Sequence, residues 1–195
     1  MKNDEVIAAT RNWLEKAVIG LNLCPFARAV YAGDRIRYVV SDAATPEALL
    51  QVMAEELQVL ATTEESKTET TLLIHPQVLG DFLDYNDFLE IADALVADMG
   101  YEGVLQVASF HPQYQFAGSE ADDIDNCSNR SPYPTLHLLC ESSVERAVAA
   151  HPDTEQIYRD NIKTLRRLGR EGWTRLDVGA PRSKPPRRAP VKRQP

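Results

Sequence analysis

The sequence predicts an α/β fold, a layered sheet of three or four mainly parallel strands with flanking helices. Short apolar runs rich in β-branched residues alternate with longer stretches of helical periodicity. The stretches between successive strands are long enough for helical crossovers, which connect parallel strands. A content of 44% hydrophobic residues in 195 supplies one core. A ferredoxin-like α+β arrangement is the alternative.

The N-terminal part is predicted to hold two helices. Residues 4–19 place apolar side chains on one stripe and begin with acidic residues, as an amphipathic helix does, and Gly20 ends it. If Pro25 takes the first helical position, residues 26–31 form a short second helix with Cys24 at its N-cap.

The middle of the chain alternates strands and helices. Three segments have strand character: residues 35–41, 70–74 and 104–110. The first intervening helix is capped by Thr45, opens with Pro46 and runs to about residue 61. The second spans about residues 77–99, with an interruption near residues 84–86 left open.

The C-terminal part begins with a long loop. Residues 111–131 show almost no helical or strand period but carry several aromatic side chains, which favours an ordered, functional loop. Residues 135–139 fit a strand or a helix equally well. Helices are then predicted over residues 143–151 and 153–169.

Charge divides the chain into a body, residues 1–178, and a tail, residues 179–195. The whole chain has a net charge of −8, yet six basic residues and no acidic residue lie after Gly179, so the body carries −14. We expect one globular domain followed by a disordered basic tail rich in Pro and Arg. The acidic body disfavours nucleic-acid binding, whereas the tail could contact RNA, DNA or an acidic partner weakly.

Several classes of protein are disfavoured. No apolar run approaches the length of a membrane span, and the first residues lack the apolar centre of a signal peptide, so a cytoplasmic protein without membrane contact is expected. Three irregularly spaced cysteines indicate reduced thiols. Glycine-rich phosphate loops and the serine nucleophile elbow are missing from the sequence. The sequence does not indicate an oligomeric state.

Candidate catalytic residues lie where the predicted strands end. Ligands of open parallel sheets bind outside the carboxyl ends of the strands. Here those ends carry Asp42, His75 and His111, and each histidine is followed by a proline that helps to end its strand. Either histidine could act in a site or be a hydrogen-bonded structural residue.

Cys24 is the candidate nucleophile. At the N-cap of a helix its thiolate would be stabilised and its pKa lowered, whereas after the end of the first helix it would be an inert thiol. Cys127 and Cys140 are interpreted as structural, since free cysteine behaves as a small apolar residue.

The long loop supplies candidate substrate-binding residues. Arg130 could present its guanidinium to a carboxylate or phosphate, or pair with an aspartate of the loop itself. Other polar or aromatic side chains of the loop could assist, namely Tyr114, Gln115 and Asn129.

Two chemistries fit an enzyme acting on a small polar or anionic metabolite at this edge. In the first, His75 and His111 with Cys24 or Asp42 hold zinc or iron. In the second, Cys24 paired with a histidine attacks an electrophilic substrate. The alternative is a non-catalytic binding or assembly module that uses the aromatic loop of residues 110–134 and the basic tail. Whether the protein is an enzyme is left open.

Four strings of the sequence carry a family resemblance: GLNLCPFA (residues 20–27), LLIHP (72–76), QVASFHPQYQFAG (106–118) and NRSPYPTLHLL (129–139). In them the chain resembles the bacterial domain of unknown function 1415 family, from the first helix to about Trp173. The resemblance implies one intact cytoplasmic domain and assigns no catalytic residue. The basic tail lies outside it.

Overall fold

A computed structural model describes residues 2–150 and 154–180. The predicted disordered tail lies outside the described residues, apart from its first two residues. The helices are α1 (Asn3–Trp13), which continues as a π-helix (Leu14–Ile19), α2 (Ala27–Ala32), α3 (Pro46–Thr62), α4 (Phe82–Asp98), a 3₁₀ helix (Ile124–Asn129), α5 (Glu141–Ala150) and α6 (Thr154–Leu176). The strands are β1 (Ile36–Val40), β2 (Thr70–Ile74), β3 (Leu105–Phe110) and β4 (Thr135–Cys140).

The α/β class is confirmed, but the sheet is mixed rather than mainly parallel. Its strand order is β1-β2-β4-β3; β1 and β2 are parallel, and β4 is antiparallel to both β2 and β3. The chain leaves β3 through the long loop and returns between β2 and β3, where Leu136 and Leu138 are fully buried. Because β4 alone runs in the opposite direction, the carboxyl ends of β1, β2 and β3 still share one edge.

Residues 135–139, which fitted a strand or a helix, belong to β4. The chain therefore runs strand–helix–strand–helix–strand–strand through the sheet. That connectivity differs from the strand–helix–strand–strand–helix–strand order of the ferredoxin-like alternative.

Helices α3 and α4 cover one side of the sheet, which we call the α4 face. Leu49, Met53 and Leu57 of α3 and Phe88 of α4 pack with Leu73 of β2 in the largest apolar cluster. Burying a leucine or methionine side chain contributes about 2 kcal/mol, so this face contains much of the core.

The other side, the α1 face, is covered by α1, the π-helix, α2 and α5. Ile36 and Tyr38 of β1 and Phe110 of β3 contact a cluster centred on Trp13 and Val18. Among the described residues, no helix combines the length and apolarity needed to cross a membrane.

Helix α3 begins as predicted, but α4 begins five residues later than expected. Thr45 Oγ1 accepts from Ala48 N at 3.2 Å, and Pro46 opens α3. In α4, Asp81 is the N-cap and the helix runs without interruption from Phe82. Residues 75–81 form a loop in which Leu79 has a φ of 56°, a left-handed conformation that a helix does not allow.

Candidate functional site

The shared carboxyl edge of the sheet brings His75 and His111 together on the α4 face. Tyr85 of α4 lies between them, with ring centroids 5.8 Å from His75 and 5.0 Å from His111. All three side chains are buried. The Tyr85 hydroxyl donates to Thr135 O at 2.8 Å, which ties the cluster to β4.

The hydrogen bonds of both histidines hold the loop of residues 75–81. His75 Nδ1 donates to Val78 O at 3.1 Å, and its buried Nε2 has no partner among the described residues. His111 Nε2 donates to Leu79 O at 3.1 Å, while its Nδ1 accepts from Gln113 N at 3.0 Å. Burial lowers the pKa of His75 to about 4 and also lowers that of His111. Both rings are therefore neutral near pH 7 and fixed in orientation by backbone groups.

The other two predicted metal ligands do not join the histidines. Cys24 lies on the α1 face, across the sheet from His75 and His111. Asp42 is exposed in the segment after β1. No group of three or more His, Cys, Asp or Glu side chains placed to hold a metal occurs within residues 2–150 and 154–180. The described residues thus do not assemble the predicted zinc or iron site.

Arg130 and its neighbours are used within the long loop. Arg130 Nε donates to Tyr114 O at 3.2 Å, and its Nη2 donates to Ala121 O. Gln115 Nε2 donates to Ser119 O, and the backbone oxygen of Asn129 accepts from His111 N at 3.2 Å. These contacts fold the loop onto itself and onto β3, so the predicted anion-binding guanidinium is held by carbonyl groups.

The loop is ordered, as expected, and is fastened to α6. Asp125 accepts two hydrogen bonds from Arg166, at 3.2 and 2.7 Å, and Arg170 lies 2.5 Å from Asp122. The Tyr114 ring contacts Phe82 at 5.2 Å and Phe116 at 5.0 Å between centroids. These aromatic side chains therefore pack against other side chains of the protein.

A cavity of about 330 Å³ lies on the α1 face, between the sheet and the helices that cover it. This volume falls within the range of small-molecule sites. Its wall is predominantly apolar and is formed by segments distant in the sequence. The wall includes Trp13, Leu14, Val18, Cys24, Phe26, Ala27, Val30, Ile36, Leu72, Ala108, Phe110, Leu139, Val144, Ala147 and Val148, with Glu69, Thr70, Gln106, His137 and Ser143 as its polar members.

His137 presents an acceptor in this wall. Thr70 Oγ1 donates to Leu138 O at 2.7 Å, so it accepts at 2.6 Å from a protonated Nε2 of His137. This network assigns the unprotonated nitrogen to Nδ1, which has no partner among the described residues. Burial lowers the pKa of His137 to about 4, so the ring is neutral and Nδ1 is free to accept a hydrogen bond.

The ring of Trp13 forms part of the same wall. Its side chain is 1% exposed, and its Nε1 has no hydrogen-bond partner among the described residues. Phe110 links Trp13 and His137: its ring lies 5.1 Å from the Trp13 ring and 5.8 Å from the His137 ring. The Nε1 atom itself has essentially no accessible surface, so Trp13 contributes an apolar ring to the wall and not a donor.

The only carboxylate in the cavity wall of the described residues is Glu69, whose Oε2 lies 2.6 Å from Arg35 Nη1. Arg35 Nη1 and Glu69 Oε2 are close enough to form an ion pair, but the contact is not a hydrogen bond. Glu69 Oε2 therefore accepts no hydrogen bond from the described residues. The charge of Glu69 is thus compensated locally by Arg35 and does not attract an anion into the cavity.

Cys24 places a thiol in the cavity wall. It lies two residues before Phe26, the N-cap of α2, rather than at the predicted N-cap itself. Backbone N–H groups of Phe26 and Ala27 donate to its sulfur, but burial outweighs them and raises the pKa of Cys24. Of the two alternatives stated for Cys24, the raised pKa agrees with the inert thiol rather than with an activated N-cap thiolate, and the thiol is neutral near pH 7.

Helix α5 forms one side of the cavity and is held loosely. None of its residues is fully buried. Glu65, from the segment between α3 and β2, accepts from Ser142 and, at 2.5 Å, from Arg146 Nη2. These contacts lower the pKa of Glu65. Few packed side chains and one surface ion pair are typical of an element that can open.

The cavity residues were largely missed by the sequence analysis. His137 lies in a run of apolar residues, where histidine more often packs than binds, and Trp13 fits the apolar stripe of the first helix. Trp13 carries no local signal for a site. For His137, the one available indication was the presence of a histidine at an inward position of a buried strand.

The fold defines an α/β protein with a four-stranded mixed sheet and an apolar cavity on its α1 face. Within this class, the model of the family described as "Protein of unknown function (DUF1415)" matches residues 5–175, which is most of the chain. The chain belongs to that family. Comparisons with curated proteins and with solved structures find no match.

Proposed function

We propose that the protein binds a small, neutral, largely apolar molecule in the cavity on the α1 face. The observation that supports this most is the pairing of an apolar wall with one unpartnered acceptor, the Nδ1 of His137. Such a wall binds by apolar burial, and a few placed polar groups orient the ligand. The ligand would donate a hydrogen bond to His137.

The polarity of the cavity favours a neutral ligand over the small polar or anionic metabolite predicted from the sequence. The neutral His137 ring offers no positive charge, and Arg35 is already paired with Glu69. Desolvating an unpaired anion in an apolar cavity costs several kcal/mol. The proposed ligand class is therefore neutral and amphipathic, with one hydrogen-bonding head.

A fluorescent probe pair tests this proposal. N-phenylnaphthylamine is neutral, apolar and carries one N–H, whereas anilinonaphthalenesulfonate adds an anionic group to the same scaffold. We expect saturable binding of the neutral dye with a dissociation constant of roughly micromolar order, and at least about tenfold weaker binding of the sulfonate. Fluorescence titration of the full chain measures both.

Filling the cavity supplies the matched control. Ala147 lines the cavity from α5, whereas Ala149 lies on the exposed surface of the same helix. Ala147→Phe should weaken binding of the neutral dye at least about tenfold, because the new ring occupies the site. Ala149→Phe should leave binding unchanged. Equal affinities of the two variants, or no saturable binding to the folded wild type, would refute the proposal.

The contact of Glu65 with α5 should control how fast the ligand leaves. Glu65→Gln removes the ion pair with Arg146 while keeping an acceptor for Ser142. Because the pair is exposed, we expect a modest increase, about two- to fivefold, in the dissociation rate of N-phenylnaphthylamine measured by stopped-flow displacement. Glu64→Gln, which removes only the neighbouring pair with Lys67, is the control and should leave the rate unchanged.

A further inference from the structure

The polar and apolar parts of the cavity wall lie at different ends of the strands. Thr70, at the start of β2, and Gln106, near the start of β3, both pair with Leu139 of β4. Phe110 lies at the opposite end of β3, where its ring is 5.1 Å from that of Trp13. A ligand with a polar head and an apolar body therefore has one favourable orientation in the cavity, with its head beside Thr70 and Gln106.

His137 and Gln106 are neighbours across the sheet at this polar end. His137 pairs with Ala108 of β3, so it lies diagonally across from Gln106, and both side chains line the cavity. Such diagonal neighbours are about 7–8 Å apart, which is within reach of long side chains. On the other side of β4, the same diagonal relation joins Thr70 to His137 in their 2.6 Å hydrogen bond. One atom of a ligand head can therefore contact both His137 and Gln106.

The two side chains offer one acceptor and one donor to a ligand. Nδ1 of His137 is unprotonated and has no partner among the described residues. The amide of Gln106 is half-buried and forms no hydrogen bond within the described part of the chain, so its Nε2 is available to donate. Thr70 is already engaged with His137 and with Leu138 O. A ligand head that both donates and accepts therefore satisfies the two free groups.

We propose that His137 and Gln106 select an apolar molecule with a single hydroxyl group, an alcohol or a phenol, as the ligand of this cavity. This inference rests on the proposed ligand site and names its ligand class. The hydroxyl donates to Nδ1 of His137, and its oxygen accepts from Nε2 of Gln106, so the head of the ligand is fully paired. An ether, ester or ketone of the same size only accepts and leaves Nδ1 without a partner, and a carboxylate adds an unpaired charge.

Displacement of N-phenylnaphthylamine from the full chain by n-octanol and by heptyl methyl ether tests this inference. The two molecules are isomers, and only the alcohol carries a donor. We expect the wild type to bind the alcohol about tenfold more tightly, because the ether leaves a buried acceptor unpaired. His137→Phe keeps a ring beside Phe110 but has no acceptor, so the two isomers should bind to it with affinities within about twofold of each other.

Gln106→Met tests the donor separately. Methionine keeps the length of the side chain but removes the amide. The alcohol and the ether both have an oxygen that accepts from Gln106, so this variant should weaken both about three- to fivefold and keep the preference for the alcohol. Gln58→Met replaces an exposed glutamine of α3, which covers the other side of the sheet, and should change neither affinity.

Dye binding separates this inference from the proposed function. Wild-type protein that binds the dye without preferring the alcohol, or a preference that His137→Phe retains, would overturn the role of His137 and leave the ligand site standing. Equal effects of Gln106→Met and Gln58→Met would overturn the role of Gln106. Absence of saturable dye binding would overturn both the site and its selectivity. The comparison of the two isomers on the wild type decides the ligand class even where a substitution unfolds the protein.

Discussion

Replacing Asn126 with alanine is expected to lower the free energy of unfolding by about 3 kcal/mol, because its buried amide organises the long loop of residues 111–131. Asn126 is fully buried. Its Oδ1 accepts from Phe116 N at 3.0 Å and from Ser119 Oγ at 2.8 Å. Its Nδ2 donates to Glu120 O at 2.8 Å. Alanine leaves Phe116 N–H and Glu120 O unsatisfied and opens a void beneath the loop, whereas Ser119 Oγ keeps its bond to Phe116 O.

Urea unfolding followed by tryptophan fluorescence measures this loss, and amide hydrogen exchange shows whether Phe116 N–H becomes unprotected. Asn129→Ala is the matched control, since this amide lies in the same 3₁₀ helix but its Nδ2 reaches Ser109 O only at 3.5 Å. We expect the control to lose less than about 1 kcal/mol. Equal losses in the two variants would contradict a special role for Asn126.

The order of strands and helices along the chain was predictable from local sequence patterns, but the order of the strands within the sheet was not. Alternating strand and helix periodicity correctly identified β1, β2 and β3 and their common direction. The insertion of β4 depends on how a long loop returns, and the string of residues 135–139 is apolar enough for a strand or a helix. Periodicity also extended α4 over Val78 and Leu79, whose carbonyls instead bind the two histidines.

The candidate site shows the same division between local and tertiary information. The rule that ligands gather at the carboxyl ends of strands did bring His75 and His111 to one edge. The cavity, by contrast, is a space between segments far apart in the chain, and no string of residues encodes it. Cys24 was singled out for its turn, yet only the packing of α2 on the sheet shows that it lines the same cavity as His137, on the other side of the sheet from His75.

Acid is expected to destabilise the protein well before its carboxylates are protonated, because His75 is buried in its neutral form. Burial lowers its pKa to about 4 in the folded state, against an ordinary value of 6.5. Between these values the unfolded chain binds one proton more than the folded chain, so stability falls as the pH decreases through this window. The full loss is on the order of 3 kcal/mol and is complete below the folded-state pKa.

The variant His75→Asn isolates this effect, because an asparagine amide can still donate to Val78 O but does not titrate. The variant also loses packing beside Tyr85, but this loss of stability is the same at every pH. It therefore cancels when the free energies of unfolding at about pH 8 and about pH 5 are subtracted. The fall in the free energy of unfolding between these values should be about 2 kcal/mol smaller in the variant than in the wild type. His137→Gln should show a similar reduction, since the pKa of His137 is also lowered to about 4. Identical pH dependence of the wild type and His75→Asn would show that His75 titrates in the folded protein as it does in the unfolded chain, and is not held neutral by burial.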